Sequence, residues 1–215
     1  MPIIGFLHTA DVHVSAFRAL TGELAPDWRD VHVVDPGLLA DARTHGVDTD
    51  LLARLRAQLR RLAADGADVV VCTCSTLSGH AERAAPEVGV PVLRVDRPMA
   101  EAAVAAGRRV AVVAAVPSTL EPTLALLRES AHAAGVDVSL RTVSCPDAWP
   151  LFEAGEHDAY LRRIAAHVRD VAAEVDVVVL AQASMAPAID LLGDVGVPVL
   201  CSPRSAVARA TARRG

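Results

Sequence analysis

The residues best suited to proton-transfer chemistry are a cysteine and a histidine that each follow a short apolar run. Cys74 ends the run VVVCTC and begins the segment Cys74-Ser75-Thr76, and His8 ends IIGFLH just before Thr9. A thiolate is a good base, and an imidazole beside a thiol at a helix N-terminus would lower the thiol pKa from about 8.5 toward neutrality. Cys74 and His8 are therefore candidates for acid–base chemistry. A hydrogen-bonded residue at a strand end is an equally good interpretation of His8.

Small polar side chains follow several of the other apolar runs. Hydroxyls and backbone N–H groups at helix N-termini bind carboxylates, although a Ser or Thr there is also the ordinary helix cap. The predicted substrate-binding residues are Thr9, Ser75, Thr76, Ser118, Thr119, Gln182 and Ser184.

Several other chemistries are excluded or less favoured. The 215-residue chain has no lysine and no asparagine, which excludes Schiff-base catalysis, a phosphate-loop lysine and N-glycosylation. Cys72-Thr73-Cys74 is too closely spaced and too isolated for a zinc site. The spacing of His8, Asp11 and His13 allows metal ligation as a less favoured alternative, and no metal is predicted.

The bulk composition limits the class of protein. The net charge is −5, the arginines are scattered and only 3% of residues are aromatic, which argues against nucleic-acid binding. The N-terminus has no basic region before its short apolar run, so we expect a first strand and no signal peptide. No apolar run approaches the roughly 18 residues of a membrane helix, and the four cysteines do not form a disulfide framework. We predict a cytoplasmic α/β protein with free thiols and no membrane partner.

The elements that must position these residues alternate along the chain. Apolar residues at helical spacing predict helices such as Asp50–Ala64 and His157–Glu174. Alternation of such helices with Val- and Ile-rich runs predicts parallel sheets covered on both faces. The predicted strands are Ile3–Leu7, Val31–Val34, Asp68–Cys72, Pro91–Val95, Arg109–Ala114, Asp137–Thr142, Asp176–Ala181 and Pro198–Cys201.

The second half of the chain repeats the first. DVVVCTCSTL begins at Asp68 and DVVVLAQASM at Asp176, a shift of 108 residues, and VGVPVL begins at both Val88 and Val195. This predicts two pseudo-symmetric lobes of about four parallel strands each, lobe one at 1–96 and lobe two at 97–203, with a C-terminal helix at 204–215 packing back on lobe one. Ligands bind beyond the carboxyl ends of parallel strands, so the cleft between the lobes is the expected active site.

Taken together, these segments resemble the aspartate/glutamate/hydantoin racemase superfamily. The resemblance lies in IIGFLHTADV, VVVCTCSTLSG, VAVVAAVPSTLEPT, VVVLAQASMAPAIDLL and VPVLCSPRSAV. It implies a cofactor-independent enzyme in which two cysteines face each other across a small carboxylate substrate, one thiolate removing the α-proton and the other thiol delivering one. Cys74-Ser75-Thr76 is similar to the family's Cys-Asn-Thr motif, and His8 occupies the position of an acidic residue in glutamate racemases. The resemblance thus implies that Cys74, with His8 beside it, is catalytic.

The chain departs from this family pattern in lobe two. The second cysteine would fall at position 182, which is Gln182, and the counterpart of His8 would be Ala115 or Val116. A carboxamide cannot transfer a proton but can orient a carboxylate or an enolate. The resemblance implies a racemase or other isomerase acting at the α-carbon of an amino acid, hydantoin or related acid. The alternatives are a one-thiol decarboxylase or lyase of the same superfamily, whose cysteine resembles the second position, and a non-catalytic carboxylate-binding protein. The apolar lobe faces are compatible with a homodimer or higher homo-oligomer.

Overall fold

The structure, a computed structural model, describes residues 1–212, which divide into two compact units. Unit one comprises Met1–Arg97 and the terminal segment from Pro203, and unit two comprises Pro98–Ser202. The repeat placed the lobe boundaries one residue away from these, at 96/97 and 203/204. The last residues of the predicted C-terminal helix, 213–215, lie outside the described residues.

Unit one is a four-stranded parallel sheet with helices. The strands have the order β2-β1-β3-β4, and every neighbouring pair is parallel. They are β1 (Ile3–His8), β2 (Arg29–Val34), β3 (Val69–Cys72) and β4 (Val92–Arg94). The helices are α1 (Val12–Leu24), α2 (Pro36–His45), α3 (Thr49–Ala64), α4 (Ser78–Arg83) and α5 (Ala85–Val88).

Unit two repeats this architecture. Its strand order is β6-β5-β7-β8, again entirely parallel. The strands are β5 (Arg109–Ala114), β6 (Ser139–Ser144), β7 (Val177–Leu180) and β8 (Val199–Cys201). The remaining helices of the chain are α6 (Arg97–Ala106), α7 (Pro117–Ala134), α8 (Trp149–Glu153), α9 (His157–Ala172), a 3₁₀ helix (Ala183–Leu191) and α10 (Ser202–Thr211). The predicted pair of four-stranded parallel sheets is therefore confirmed. Within residues 1–212, no helix is both long and apolar enough to cross a bilayer.

The central strands are buried on both faces, which explains their continuous apolar sequence. All four residues of β3 and all four of β7 are buried. Helix α3 packs Leu55, Leu59 and Leu62 into the core of unit one, and each is at most 1% exposed. It begins at its cap Asp48, whose carboxylate accepts from the Leu51 amide at 2.8 Å. The amphipathic pattern therefore fixes which face of α3 meets the sheet.

The repeated aspartate of each DVVV segment has a structural role. Asp68 Oδ2 accepts from the Ile3 amide at 2.8 Å, and Asp176 Oδ2 accepts from the Arg109 amide at the same distance. Each carboxylate thus binds the first amide of the neighbouring strand, β1 in unit one and β5 in unit two. These amides lie at the end of the strands opposite to Cys74 and Gln182.

Hydrogen bonds between the strands correct the repeat alignment for β1 and β5. Leu7 O accepts from Thr73 N, and Val113 O accepts from Ala181 N. Position 73 is therefore equivalent to 181, a shift of 108, whereas position 7 is equivalent to 113, a shift of 106. The counterpart of His8 is consequently Ala114, and not Ala115 or Val116 as the repeated sequence suggested.

Candidate active site

Cys74 lies just beyond the carboxyl end of β3, where the chain turns toward α4. Its carbonyl accepts from the amides of Leu77 and Ser78 at 3.0 and 2.8 Å, which closes this turn. The residue is 8% exposed. The thiol is therefore held at the sheet edge where parallel sheets bind ligands.

Four hydrogen-bond donors surround the Cys74 sulfur. They are the hydroxyls of Thr9 and Thr76 and the backbone amides of Thr76 and Leu77. Burial raises the pKa of Cys74, and these four donors act in the opposite direction because they stabilise the thiolate. The pKa of Cys74 stays above its ordinary value, which reverses the direction expected from the sequence.

His8 contacts the residue before Cys74 and not the thiol itself. The His8 ring is fully buried, with Nδ1 2.8 Å from Thr73 Oγ1 and Nε2 2.9 Å from His32 Nδ1. Burial, with the neighbouring His32 and His13 adding to it, lowers the pKa of His8 to about 3. The imidazole is neutral at physiological pH and cannot supply a positive charge to the thiol. The predicted catalytic role of His8 stays a prediction.

Ser75 and Thr76 line the same turn, and both are buried. Thr76 contacts the Cys74 sulfur, as described above. Ser75 Oγ is buried without a hydrogen-bond partner among residues 1–212. Buried hydroxyls are normally paired, so this one is available to a ligand.

In unit two, Gln182 ties together the ends of β5 and β7. Its Oε1 accepts from the amides of Ala115 and Val116 at 2.7 and 3.0 Å. Two N–H donors at one end of the carboxamide identify that end as the oxygen, so Nε2 is the donor end. Gln182 is 8% exposed, as Cys74 is, and occupies the equivalent position after its strand.

The other predicted binding residues of unit two lie on nearby segments. Ser184 Oγ, in the first turn of the 3₁₀ helix, is 2.8 Å from the hydroxyl of Tyr160. Ser118 and Thr119 follow Pro117 in the first turn of α7. Thr119 is buried, and its carbonyl accepts from the Thr123 hydroxyl at 2.8 Å.

Of the remaining cysteines, Cys72 lies next to the candidate site, where its sulfur accepts from the backbone amide of Cys74. Cys72 is 1% exposed in the core of unit one, and burial raises its pKa. Burial raises the pKa of Cys145 to about 12 and that of Cys201 to about 11, in each case with an aspartate nearby. All four cysteines of the chain are free thiols.

Sequence reasoning missed Asp30, His32, Thr73 and Tyr160. Asp30 and His32 alternate with Val31 and Val33 along β2, so they share one face of the strand. The signal available in the sequence was the alternation of these two polar residues with valines, together with the histidine at the end of the preceding strand. His8 uses both ring nitrogens in hydrogen bonds, which counts against the metal alternative. Among residues 1–212, no three His, Cys, Asp or Glu side chains converge as ligands.

Comparison with known proteins identifies relatives of this architecture. The chain matches the Asp/Glu/hydantoin racemase family over residues 4–210. It is 32% identical to a glutamate racemase of Synechocystis sp. over 117 residues, which are 54% of this chain and only 41% of that enzyme.

Solved structures share the fold at lower identity. The aspartate racemase of Picrophilus torridus superimposes with a TM-score of 0.70 at 15% identity, covering 99% of this chain and 94% of that one. Arylmalonate decarboxylase superimposes with a TM-score of 0.61 at 20% identity, covering 100% and 93%. The match across nearly the whole sequence and the paired parallel sheets lead to one conclusion: the chain belongs to the Asp/Glu/hydantoin racemase family.

Proposed function

We propose that this protein is a cofactor-independent enzyme that transfers a proton at the α-carbon of a small carboxylate, with Cys74 as the acid or base. The observation that carries the proposal is the position of Cys74 in the turn just beyond the carboxyl end of β3, where four hydrogen-bond donors interact with its sulfur. Hydrogen bonds to a thiolate stabilise it, while burial makes it a strong base once it forms. The buried Ser75 hydroxyl, which has no hydrogen-bond partner among residues 1–212, supports a ligand at this turn.

Racemisation is the first candidate reaction, because the family and the Synechocystis relative are named for it. The substrate class is an amino acid, a hydantoin or a related acid. In this proposal Thr9, Ser75 and Thr76 bind substrate oxygens in unit one. Ser118, Thr119 and Ser184 do so in unit two, where the Nε2 end of Gln182 donates to the substrate.

Decarboxylation is the second candidate, and a specific observation favours it. Burial keeps Cys74 protonated at neutral pH, and position 182 offers a carboxamide in place of a second thiol. Loss of CO₂ from a malonate generates a carbanion without a base, so a single neutral thiol suffices to protonate it. Arylmalonate decarboxylase shares this fold.

Incubation in D₂O separates these reactions. Aspartate, glutamate, a hydantoin and an arylmalonate are each incubated with the protein, and proton NMR with chiral chromatography follows deuterium at Cα, inversion and loss of CO₂. Deuterium with inversion supports racemisation, and CO₂ release with one deuterium supports decarboxylation. Tight binding without exchange or turnover would favour the non-catalytic alternative.

Substitution of the thiol tests the assignment of Cys74. Cys74→Ser is expected to lower the rate by roughly 10²–10⁴-fold, the usual worth of a positioned acid or base. Cys201→Ser is the matched control, because Cys201 is a partly exposed thiol at the end of β8 in unit two. Full activity of Cys74→Ser would exclude the proposed mechanism.

A further inference from the structure

A line of polar side chains crosses three neighbouring strands of unit one. Asp30 and His32 lie on β2, His8 on β1 and Thr73 directly after β3, and these strands are adjacent in the order β2-β1-β3. Asp30 Oδ2 is 2.5 Å from His32 Nε2. The chain continues through the 2.9 Å contact of His32 with His8 and the 2.8 Å contact of His8 with Thr73. We call these four residues the polar chain.

The polar chain runs from the surface into the core. Side-chain exposure falls from 20% at Asp30 to 6% at His32, while His8 is fully buried. Aromatic rings fix the imidazoles from the sides, because His32 stacks on Phe6 with ring centroids 5.2 Å apart and Phe17 of α1 covers His8 at 5.4 Å. The imidazole positions are therefore constrained by packing as well as by hydrogen bonds.

Unit two forms the same sheet without these residues. The strand registers make Asp30 equivalent to Leu140 and His32 equivalent to Thr142, because their partners Ile4 and Phe6 correspond to Val110 and Val112. By the same registers, Ala114 replaces His8 and Ala181 replaces Thr73. Since the repeated sheet folds with four unrelated residues at these positions, the architecture does not need the polar chain.

The polar chain ends on the two loops that form the Cys74 site. His8 precedes Thr9, and Thr73 precedes Cys74. The His8–Thr73 and Thr9–Cys74 hydrogen bonds therefore connect consecutive residues of the same two segments. We propose that Asp30 and His32 are positioning residues for Cys74, which hold His8 so that Thr9 donates to the sulfur. This inference rests on the proposed function only in treating the Cys74 thiolate as the reacting group.

The Asp30 carboxylate determines the direction of every hydrogen bond in the chain. Because a carboxylate only accepts, His32 Nε2 donates to it, and neutral His32 then accepts at Nδ1 from His8 Nε2–H. His8 Nδ1 in turn accepts from the Thr73 hydroxyl, which has a second acceptor within reach in the Leu7 carbonyl. Two further charged or titratable groups contact the chain from α1: Arg18, 3.0 Å from Asp30, and His13, whose ring centroid is 6.2 Å from that of His8.

An additional proton reverses the inner part of the polar chain. With both nitrogens of His32 protonated, Nδ1 donates to His8, and His8 donates to Thr73. The Thr73 hydroxyl then donates to the Leu7 carbonyl, 3.0 Å away. The protonation state of His32 therefore sets the direction of the hydrogen bond at Thr73, the residue before Cys74.

The test measures the thiolate fraction of Cys74 in the intact 215-residue protein. Methyl methanethiosulfonate is reacted at a series of pH values from about 6 to 9.5, and modification of the Cys74 peptide is followed by mass spectrometry. The ¹³Cβ shift of labelled cysteine, assigned with Cys74→Ser, reports the same fraction without a reagent. The variants are His32→Phe, which keeps the ring on Phe6, His32→Gln, which restores a donor and an acceptor, and Asp30→Asn. His167→Phe is the control, because His167 is the partner of Asp147 in unit two.

We expect His32→Phe to lower the thiolate fraction by roughly three- to tenfold, the effect of losing one hydrogen bond to a charged group. Asp30→Asn should act in the same direction and more weakly, and it carries the test if His32→Phe does not fold. His32→Gln should recover most of the loss, and His167→Phe should equal the wild type. Wild-type values in His32→Phe and Asp30→Asn, or an equal loss in His167→Phe, would overturn the inference. Because the readout needs no turnover, failure of the proposed reaction is detected separately, by the D₂O incubation.

Discussion

At the scale of single residues, the equivalent residues Cys74 and Gln182 have different hydrogen-bonding roles. Cys74 receives four donors at a thiol, whereas Gln182 uses its own oxygen to satisfy two backbone amides. The difference between the units is therefore more than the absence of one reactive atom. Gln182 also holds the end of β5 in place.

Replacing Gln182 should destabilise the protein because it leaves the Ala115 and Val116 amides without an acceptor. We expect Gln182→Ala to reduce the free energy of unfolding by about 1–3 kcal/mol, measured by urea denaturation. Gln182→Glu keeps an acceptor at the same reach and should lose less. Equal stability of Gln182→Ala and the wild type would contradict the role given to Oε1.

Replacing Ser75 should have a different effect, because it should preserve or raise stability and weaken ligand binding. Since its hydroxyl is buried without a partner, Ser75→Ala should leave thermal stability unchanged or raise it. The same variant should weaken binding of a carboxylate ligand, measured by calorimetry. Ser78→Ala is the control, because Ser78 Oγ contacts Asp96 at 3.3 Å and its loss should lower stability. A destabilised Ser75→Ala would mean that this hydroxyl has an unrecognised structural partner.

At the scale of elements, each DVVV repeat contains a buried strand and an aspartate that binds the first amide of the neighbouring strand. Asp68 and Asp176 each lie just before a buried strand and hold the first amide of the central strand beside it. This explains why the aspartate recurs together with the valines.

Removal of either aspartate should loosen the central strand of its own unit. Asp68→Ala and Asp176→Ala are expected to speed amide hydrogen exchange in β1 and β5 respectively, because the first amide of each strand loses its acceptor. Exchange followed by mass spectrometry checks this, with Asp65→Ala as the control, since Asp65 lies at the end of α3. Uniform exchange across both units in either variant would contradict a local role.

The sequence predicted the sheets well and the site only in part. Apolar strands and amphipathic helices report burial directly, so the strands were predictable from their sequence pattern, and the duplication was predictable from the repeated DVVV and VGVPVL segments. Cys74, Thr9 and Thr76 were predictable because polar residues after parallel strands meet at one edge. The neutral state of His8 was not predictable, because it depends on His32 and on burial across strands that are 24 residues apart in sequence. That both half-sites bind one substrate stays a prediction.

At the scale of the whole molecule, the histidines with lowered pKa values all belong to unit one. Burial lowers the pKa of His8 to about 3 and that of His13 to about 4, and it also lowers those of His32 and His80. In the unfolded chain these groups bind protons near pH 6.5, whereas in the folded unit they bind protons only at lower pH. Their contribution to stability is therefore complete above pH 6.5 and is lost as the pH falls.

We accordingly expect the stability of the protein to fall on acidification from pH 7 to pH 4. Between its unfolded and folded pKa values, each such histidine changes the free energy of unfolding by about 1.4 kcal/mol per pH unit. Urea denaturation at several pH values measures this slope, and His8→Gln should reduce it. A second, more acidic loss is expected in unit two, because Asp176, whose pKa Arg109 lowers to about 2, loses its stabilising charge only below about pH 4. A wild-type slope in His8→Gln would contradict the buried neutral state of His8.

The division into two units also gives each its own optical reporter. The chain has two tryptophans, Trp28 in unit one and Trp149 in unit two. Replacing one of them by phenylalanine leaves an emission signal that originates in a single unit. Fluorescence of the two single-tryptophan proteins during acidification would therefore show whether one half of this duplicated molecule can lose its tertiary structure while the other keeps it.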